Sequence, residues 1–228
     1  MPYNVVRSEV LSRFLEVNHL LNSIKSVEDS IIAPAVLPLE YKIYKGFFYV
    51  HIYACIEFSI NKLVVTTLTL AKSKNILYQH IENKFYTIAV SSNLQSIRDF
   101  NSKTFLDKSA DLFLAIESGD ISNFDETLMS KYLQNVWGKT FNQITKTLGM
   151  NNFVISGREM YLFDEIVDNR NKLAHGRDKA EDIGSSPNYQ DLKDKYDLIF
   201  DTINRYINHF EAYNLNKEYI KNSERINY

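Results

Sequence analysis

The sequence predicts an all-α protein, a helical bundle with a long central helix and an antiparallel pair of C-terminal helices. Three observations carry this expectation. Seven glycines and four prolines in 228 residues fall well under the average usage of roughly 12% for the two together, so few positions interrupt a helix. Hydrophobic residues make up 45% of the chain, enough to bury a substantial core without disulfide staples. Over long stretches those residues recur every three or four positions, the spacing of one helix face.

From Val5 to Val27 the apolar stripe is Val6, Val10, Phe14, Val17, Leu21 and Ile24, which predicts a first amphipathic helix. Pro34 and Pro38 then break the chain, and a long helix follows from about Leu39 to Ala71, with Gly46 a point of bending. Its most apolar part, Phe47 to Leu70, is interrupted by His51, Glu57, Asn61 and Lys62, short of the roughly 18 uninterrupted apolar residues a membrane span needs. It reads as a core helix, and no membrane is expected. Between Asn75 and Glu117 the signals mix. Phe85 to Val90 is β-prone, whereas Gln95 to Phe100 and Phe105 to Ile116 carry helical spacing, so one short irregular strand segment is expected there. Helical pattern returns in two pieces over Asn123 to Leu148, with Gly149 as the stop.

Ser156 offers an N-cap for a helix from about Arg158 to His175, closed by Gly176. Residues 177–187 are polar and read as a loop or lid. Ser186 as N-cap and Pro187 at the first helical position open a final helix to about Asn214, with the stripe Leu192, Tyr196, Ile199, Ile203, Tyr206 and Phe210. The polar tail, 216–228, is expected to fray. No internal repeat is evident, so residues 1–228 read as a single domain.

A net charge of -2 gives no general attraction to polyanions, so a nucleic acid would need a local basic site. The single Cys55 lies in an apolar run and excludes an intrachain disulfide. The N-terminal Met-Pro-Tyr-Asn lacks the basic and apolar regions of a signal peptide, and a reducing cytoplasm is the expected location. His19, His51, His80 and His209 have no ligand spacing and no accompanying cysteines. Asp164 and Asp168, four apart on a charged helix, read as a solvated face. No metal and no other cofactor is expected. Phe47, Phe48, Tyr53, Phe58, Tyr196 and Phe210 fall on core stripes, so most of the aromatic content reads as packing. No Gly-rich phosphate loop or nucleophile elbow is present.

One segment breaks the pattern: Asp168-Asn-Arg-Asn-Lys-Leu-Ala-His175-Gly176. The stripe of that helix is Phe163, Ile166, Leu173 and Ala174, and the slot between Ile166 and Leu173 is filled by Arg170. A guanidinium keeps its charge, so in a core-facing slot it must meet a carboxylate, a subunit interface or an anionic ligand. Glu57, which interrupts the apolar spine near Tyr53, either pairs with Arg170 or reaches solvent at the helix edge. Asn171 and His175 are four apart and share a face. His175 stands at the helix end, where the negative end of the dipole favours a cation. Arg170 and His175 are five apart, about 140° around a regular helix. One helix alone does not converge them; a frayed end or a second copy across a two-fold axis would.

Glu165-Ile-Val-Asp-Asn-Arg170-Asn-Lys-Leu-Ala-His175-Gly resembles the signature of the HEPN superfamily, an Arg, a few residues, and a His at a helix end. The Asn after the Arg fits as well. The run Tyr49-Val-His-Ile-Tyr-Ala-Cys-Ile-Glu57-Phe-Ser looks like the long early helix of prokaryotic HEPN proteins. The resemblance implies a helical bundle that forms a homodimer through the signature helices, facing two Arg-His pairs into one cleft. It implies metal-independent cleavage of RNA, with Arg170 and His175 catalytic and Asn171 orienting the phosphate or the His. Lys172 and Arg177 would then track the RNA backbone, and Glu57 and Tyr53 would support Arg170 from behind. A toxin or antiviral defence effector is the implied role, with an antitoxin or a larger defence complex as the further partner. The other reading is a non-catalytic dimerisation module of a nucleic-acid or defence complex, whose sign would be an Arg170 saturated by an internal carboxylate.

Overall fold

The computed structural model describes residues 2–31, 37–99 and 104–228. The break expected at Pro34 and the residue Phe100 lie outside them. Among the described residues the regular structure is helical and no strand is present. The α-helices are α1 (Pro2–Asp29), α2 (Leu39–Lys72), α3 (Tyr86–Ala89), α4 (Ser91–Asp99), α5 (Phe105–Glu117), α6 (Gly138–Leu148), α7 (Gly157–Ala174), α8 (Ala180–Ile183) and α9 (Tyr189–Leu215). By length and composition α2 is the one described helix that could cross a membrane, with a mean hydropathy of 1.3, yet 50% of its most apolar stretch is buried. The chain divides into two compact units.

The first unit comprises Met1–Lys62, Leu133–Thr140 and Val154–Ile207. All six stripe residues of α1 are buried, and from α9 Leu192, Tyr196, Ile199, Ile203 and Tyr206 join the core. Each such side chain stabilises by about 1.5–3 kcal/mol relative to exposure. Phe14 shows how α1 and α9 lock: its ring lies 5.8 Å from Tyr196 and 5.0 Å from Phe200, and the Tyr196 hydroxyl donates to its carbonyl at 3.1 Å. Helices α7 and α9 run antiparallel, because Glu159 meets Thr202 and Arg205 while Glu165 meets Lys195. Phe47, expected on a core stripe, is instead 51% exposed.

Residues 177–187, which read as a loop or lid, are not irregular throughout. They contain α8, and this turn lies directly on α2: a Cβ at Gly46 would run into the Ala180 carbonyl, and one at Gly184 into that of Lys42. The buried Lys45 lies 4.1 Å from the Tyr41 ring centre and donates to the Pro187 carbonyl. Burial lowers its pKa, since few groups there repay its lost hydration. Gly46→Ala is therefore expected to cost about 1–3 kcal/mol through overpacking. Chemical unfolding would register this as a lower midpoint at unchanged slope; an unshifted midpoint would mean that α8 is not held there. The final helix also starts later than expected. Its N-cap is Asn188, whose side chain accepts from Asp191 N–H at 2.9 Å while the Asp191 carboxylate accepts from Asn188 N–H at 2.9 Å. A reciprocal cap satisfies two orphan donors where Ser186 would have satisfied one.

The second unit comprises Leu63–Tyr132, Phe141–Phe153 and Asn208–Tyr228. The strand expected near 85–90 is absent: Asn83–Phe85 is a 3-10 turn, capped by the Glu82 side chain, that leads into α3. Phe85, Ile88, Ala89 and Val90 are all buried, so burial, not β-propensity, decides their conformation. Isolated bridges, Leu77 to Ile121 and Ile81 to Ile220, are the extended pairings present. The expected two pieces over 123–148 are the 3-10 turn Leu128–Tyr132 and α6, closed by Gly149 at φ +70°. The polar tail does not fray. Tyr219 and Ile220 are buried, and Lys221 N–H donates to the His80 carbonyl at 2.9 Å. Two apolar side chains within the polar run anchor it.

Candidate functional site

The site is carried by α7, whose two ends are fixed by different devices. At its start Ser156 and Glu159 form a capping box: the Ser156 side chain accepts from Glu159 N–H at 3.2 Å, and Glu159 accepts from Ser156 N–H at 2.7 Å. The same carboxylate accepts from Thr202 at 2.7 Å and pairs with Arg205. At its end His175 is the C-cap, and Gly176 takes the left-handed conformation at φ +65°. Gly176 N–H donates to Leu173 and Arg177 N–H to Lys172, at 3.1 and 2.9 Å, a Schellman closure that requires little of any residue except the glycine.

The stripe that was expected to run through Leu173 and Ala174 ends early. Phe163, Ile166 and Val167 are buried, Leu173 is half-buried and Ala174 exposed. Arg170 lies at the edge of the core, its side chain 23% exposed. Its guanidinium carbon stands 4.1 Å above the Tyr53 ring, a cation–π arrangement that holds the flat group in place. One terminal nitrogen donates to the Asn171 carboxamide oxygen at 2.7 Å. Glu57 of α2 is the facing carboxylate, with its oxygen 3.6 Å from the other terminal nitrogen. That distance exceeds a hydrogen bond, so Glu57 balances charge while leaving guanidinium donors uncommitted. Burial pushes the Glu57 pKa up, and the Arg170 cation and the Tyr53 hydroxyl pull it part of the way back. Tyr53 is likewise raised, by burial first and then by Glu57, which keeps its hydroxyl a neutral donor.

That hydroxyl donates to the Gln134 carbonyl at 2.8 Å and accepts from Val136 N–H at 3.4 Å. Removing it in Tyr53→Phe leaves the ring under Arg170 but strands the two backbone groups. The expected cost is about 1–2 kcal/mol, or roughly 2–4 °C in Tm per kcal/mol for a chain of this size. Thermal unfolding at pH 7 checks it, and a Tm within 1 °C of the parent, roughly the measurement's own scatter, would contradict the pairing.

His175 is exposed beyond the helix end, one turn past the half-buried Asn171, to whose carbonyl its backbone N–H donates at 3.0 Å. The Arg170 and His175 side chains do not meet within one chain: the arginine turns toward α2 and the histidine to solvent. Lys172 pairs with Asp168 at 2.9 Å, and Arg177 is exposed after the closing glycine. Asp164 accepts from Gly138 N–H at 2.8 Å, so both acidic residues of this face have partners. Among the described residues no group of three His, Cys, Asp or Glu side chains is placed to hold a metal ion.

The family model RiboL-PSP-HEPN matches residues 8–212, most of the chain. The chain belongs to the RiboL-PSP-HEPN family. No curated protein and no solved structure matches it. The matched span includes Arg170, Asn171 and His175 of this HEPN domain, together with Tyr53 and Glu57 on α2.

A second feature of the HEPN domain was not visible in its sequence. Beside α7 a cleft of about 890 Å³ is lined by Tyr161, Glu165, Asn169 and Lys172 of α7, by Asp182 of α8, and by Lys195 of α9, among others. Within it Glu165 accepts from Lys195 at 2.7 Å and from the Tyr49 hydroxyl at 3.3 Å. Glu165 and Lys195 lie 30 residues apart, and only the antiparallel register of α7 and α9 pairs them. Arg170, Asn171 and His175 do not line this cleft.

Proposed function

We propose that this HEPN protein is a metal-independent endoribonuclease in which Arg170 and His175 carry the chemistry. The observation that supports it most is the state of Arg170: charged, fixed by Tyr53 and Asn171, and with donors to spare, on the same helix that ends in an exposed His175. Arg170 would grip the nonbridging oxygens of the scissile phosphate and stabilise the extra negative charge of the pentavalent state. The ribose 2′-oxygen forms its bond to phosphorus as the bond to the 5′-oxygen breaks. A proton leaves the 2′-hydroxyl and one is delivered to the 5′-oxygen, and His175 transfers it. The products are a 2′,3′-cyclic phosphate and a 5′-hydroxyl end. Asn171 orients the guanidinium, and Lys172 and Arg177 contact neighbouring phosphates.

Because the two side chains diverge on one helix, the working site would form in a homodimer packed on the exposed end of α7, around Leu173, Ala174 and His175. Such an enzyme would act as a toxin or antiviral effector, restrained by an antitoxin or a defence complex. The pairing of Arg170 with Glu57 favours a second reading, a non-catalytic interaction module, in which that pair is structural. Purified protein incubated with total RNA in excess chelator separates the two. The nuclease reading expects new cyclic-phosphate ends that disappear in His175→Ala; RNA left intact by a folded dimer would favour the module.

A further inference from the structure

The connection Leu133–Gly138 reaches Arg170 through Tyr53, and the chemistry above gives it no task. Tyr53 is shared: Arg170 occupies its face, and its hydroxyl holds the backbone at Gln134 and Val136. At the other end Gly138 N–H donates to Asp164 of α7, and a Cβ at Gly138 would meet the Met160 backbone, so the peptide is pressed onto the helix that carries the site. Leu133 and Val136 are buried at 1% and 0% exposure. The backbone is thereby fixed relative to Arg170 from both sides.

Between these anchors Gln134 and Asn135 are exposed, and among the described residues neither side-chain amide has a hydrogen-bond partner. Trp137, the single tryptophan of the chain, is half-buried just beyond them. A carboxamide offers a donor and an acceptor side by side, the complement of a nucleobase edge, and an indole face stacks a base. Proteins that read single-stranded RNA combine these two devices on splayed-out bases. The cleft beside α7 is the less favourable approach for a polyanion, although Arg158 lies in its lining. Asp178, Asp182, Asp191 and Asp194 line the cleft, while Lys195 and Lys172 are paired with Glu165 and Asp168.

We propose that Gln134, Asn135 and Trp137 read the base of the nucleotide adjoining the phosphate held by Arg170, giving this protein a preference for single-stranded RNA with a sequence bias. The position of that phosphate rests on the nuclease reading. The test uses the full-length His175→Ala protein, which on the nuclease reading cuts RNA too slowly to disturb a titration, and three fluorescent probes: oligoadenylate, oligocytidylate and oligouridylate of equal length. Anisotropy titration is expected to give one base an advantage of about tenfold, the scale of one good edge contact. Gln134→Ala/Asn135→Ala in the same background should reduce that advantage to below about threefold, with Tm unchanged because both side chains are exposed. Equal binding of all three probes by the parent, or an advantage that survives the double substitution, overturns the proposal. Base-selective binding that the double substitution abolishes, by a wild-type protein that cuts no RNA, would sink the nuclease reading alone: base reading by Gln134, Asn135 and Trp137 would stand, with Arg170 holding a phosphate for binding and not for cleavage.

Discussion

His175→Ala is expected to lower RNA cleavage by about 10²–10⁴-fold, the usual worth of a positioned proton-transfer group. Arg170→Ala should lose about 10²–10³-fold through the unbalanced charge of the pentavalent phosphorus. Because both act on one transition state, the double variant should be hardly worse than the poorer single one. Arg170→Lys should not rescue: an ammonium cannot lie flat on Tyr53 while donating to Asn171 and to a phosphate together. Single-turnover cleavage of a labelled RNA gives all four rates. A His175→Ala rate within threefold of wild type, far short of the loss expected of a proton-transfer group, would remove His175 from the mechanism. Since His175 is exposed, the loss should come without a stability change beyond about 0.5 kcal/mol.

The largest effect on stability is expected from Glu159→Ala. This carboxylate is 6% exposed, and it closes the cap of α7, accepts from Thr202 and pairs with Arg205. Its loss removes the capping box and the acceptor for Thr202, while Arg205, 40% exposed, keeps its pairing with Asp201 at 3.0 Å; the expected cost is about 2–3 kcal/mol. The pH dependence has a definite sign. Burial alone would raise the Glu159 pKa, but the hydrogen bonds from Ser156 and Thr202 and the Arg205 charge outweigh it and hold the carboxyl below its ordinary value. A depressed folded-state pKa contributes stability above the unfolded value, about 4.3, that is lost as pH falls through the lower folded value. The stability gap between wild type and Glu159→Gln should accordingly be widest near neutral pH and shrink as the pH falls below the ordinary carboxylate range. Urea unfolding across that range checks it, and a gap that widens on acidification would contradict the assignment.

The helices were legible where one periodicity acts alone. The stripes of α1 and α9 are buried at the positions their spacing marks, because a three-to-four repeat has one solution when the helix is long. The segment 85–90 was not legible, since Phe85, Ile88 and Val90 suit a strand as well as a buried turn, and the choice depends on neighbours far away in sequence. Likewise Ser186-Pro187 is a good helix start locally, and it lost to the reciprocal pair of Asn188 and Asp191. The tail was misjudged because average polarity hides Tyr219 and Ile220. At the site, Arg170 stood out as a charge on an apolar face, and α2 does present Glu57 and Tyr53 to it. The connection 133–138 carried no such signal: Gln134 and Asn135 look like ordinary surface residues until Tyr53 ties their backbone to Arg170.

In the proposed mechanism the RNA's own 2′-hydroxyl is the nucleophile and no metal takes part. The decisive measurement uses a short RNA containing a mapped cleavage site, compared with the same oligonucleotide carrying one 2′-deoxyribose on the 5′ side of the cut, both in excess chelator. The first is expected to be cut, leaving a cyclic phosphate, and the second to stay intact at that bond. Equal cutting of both, or cutting of the first only after a divalent cation is restored, would contradict that mechanism.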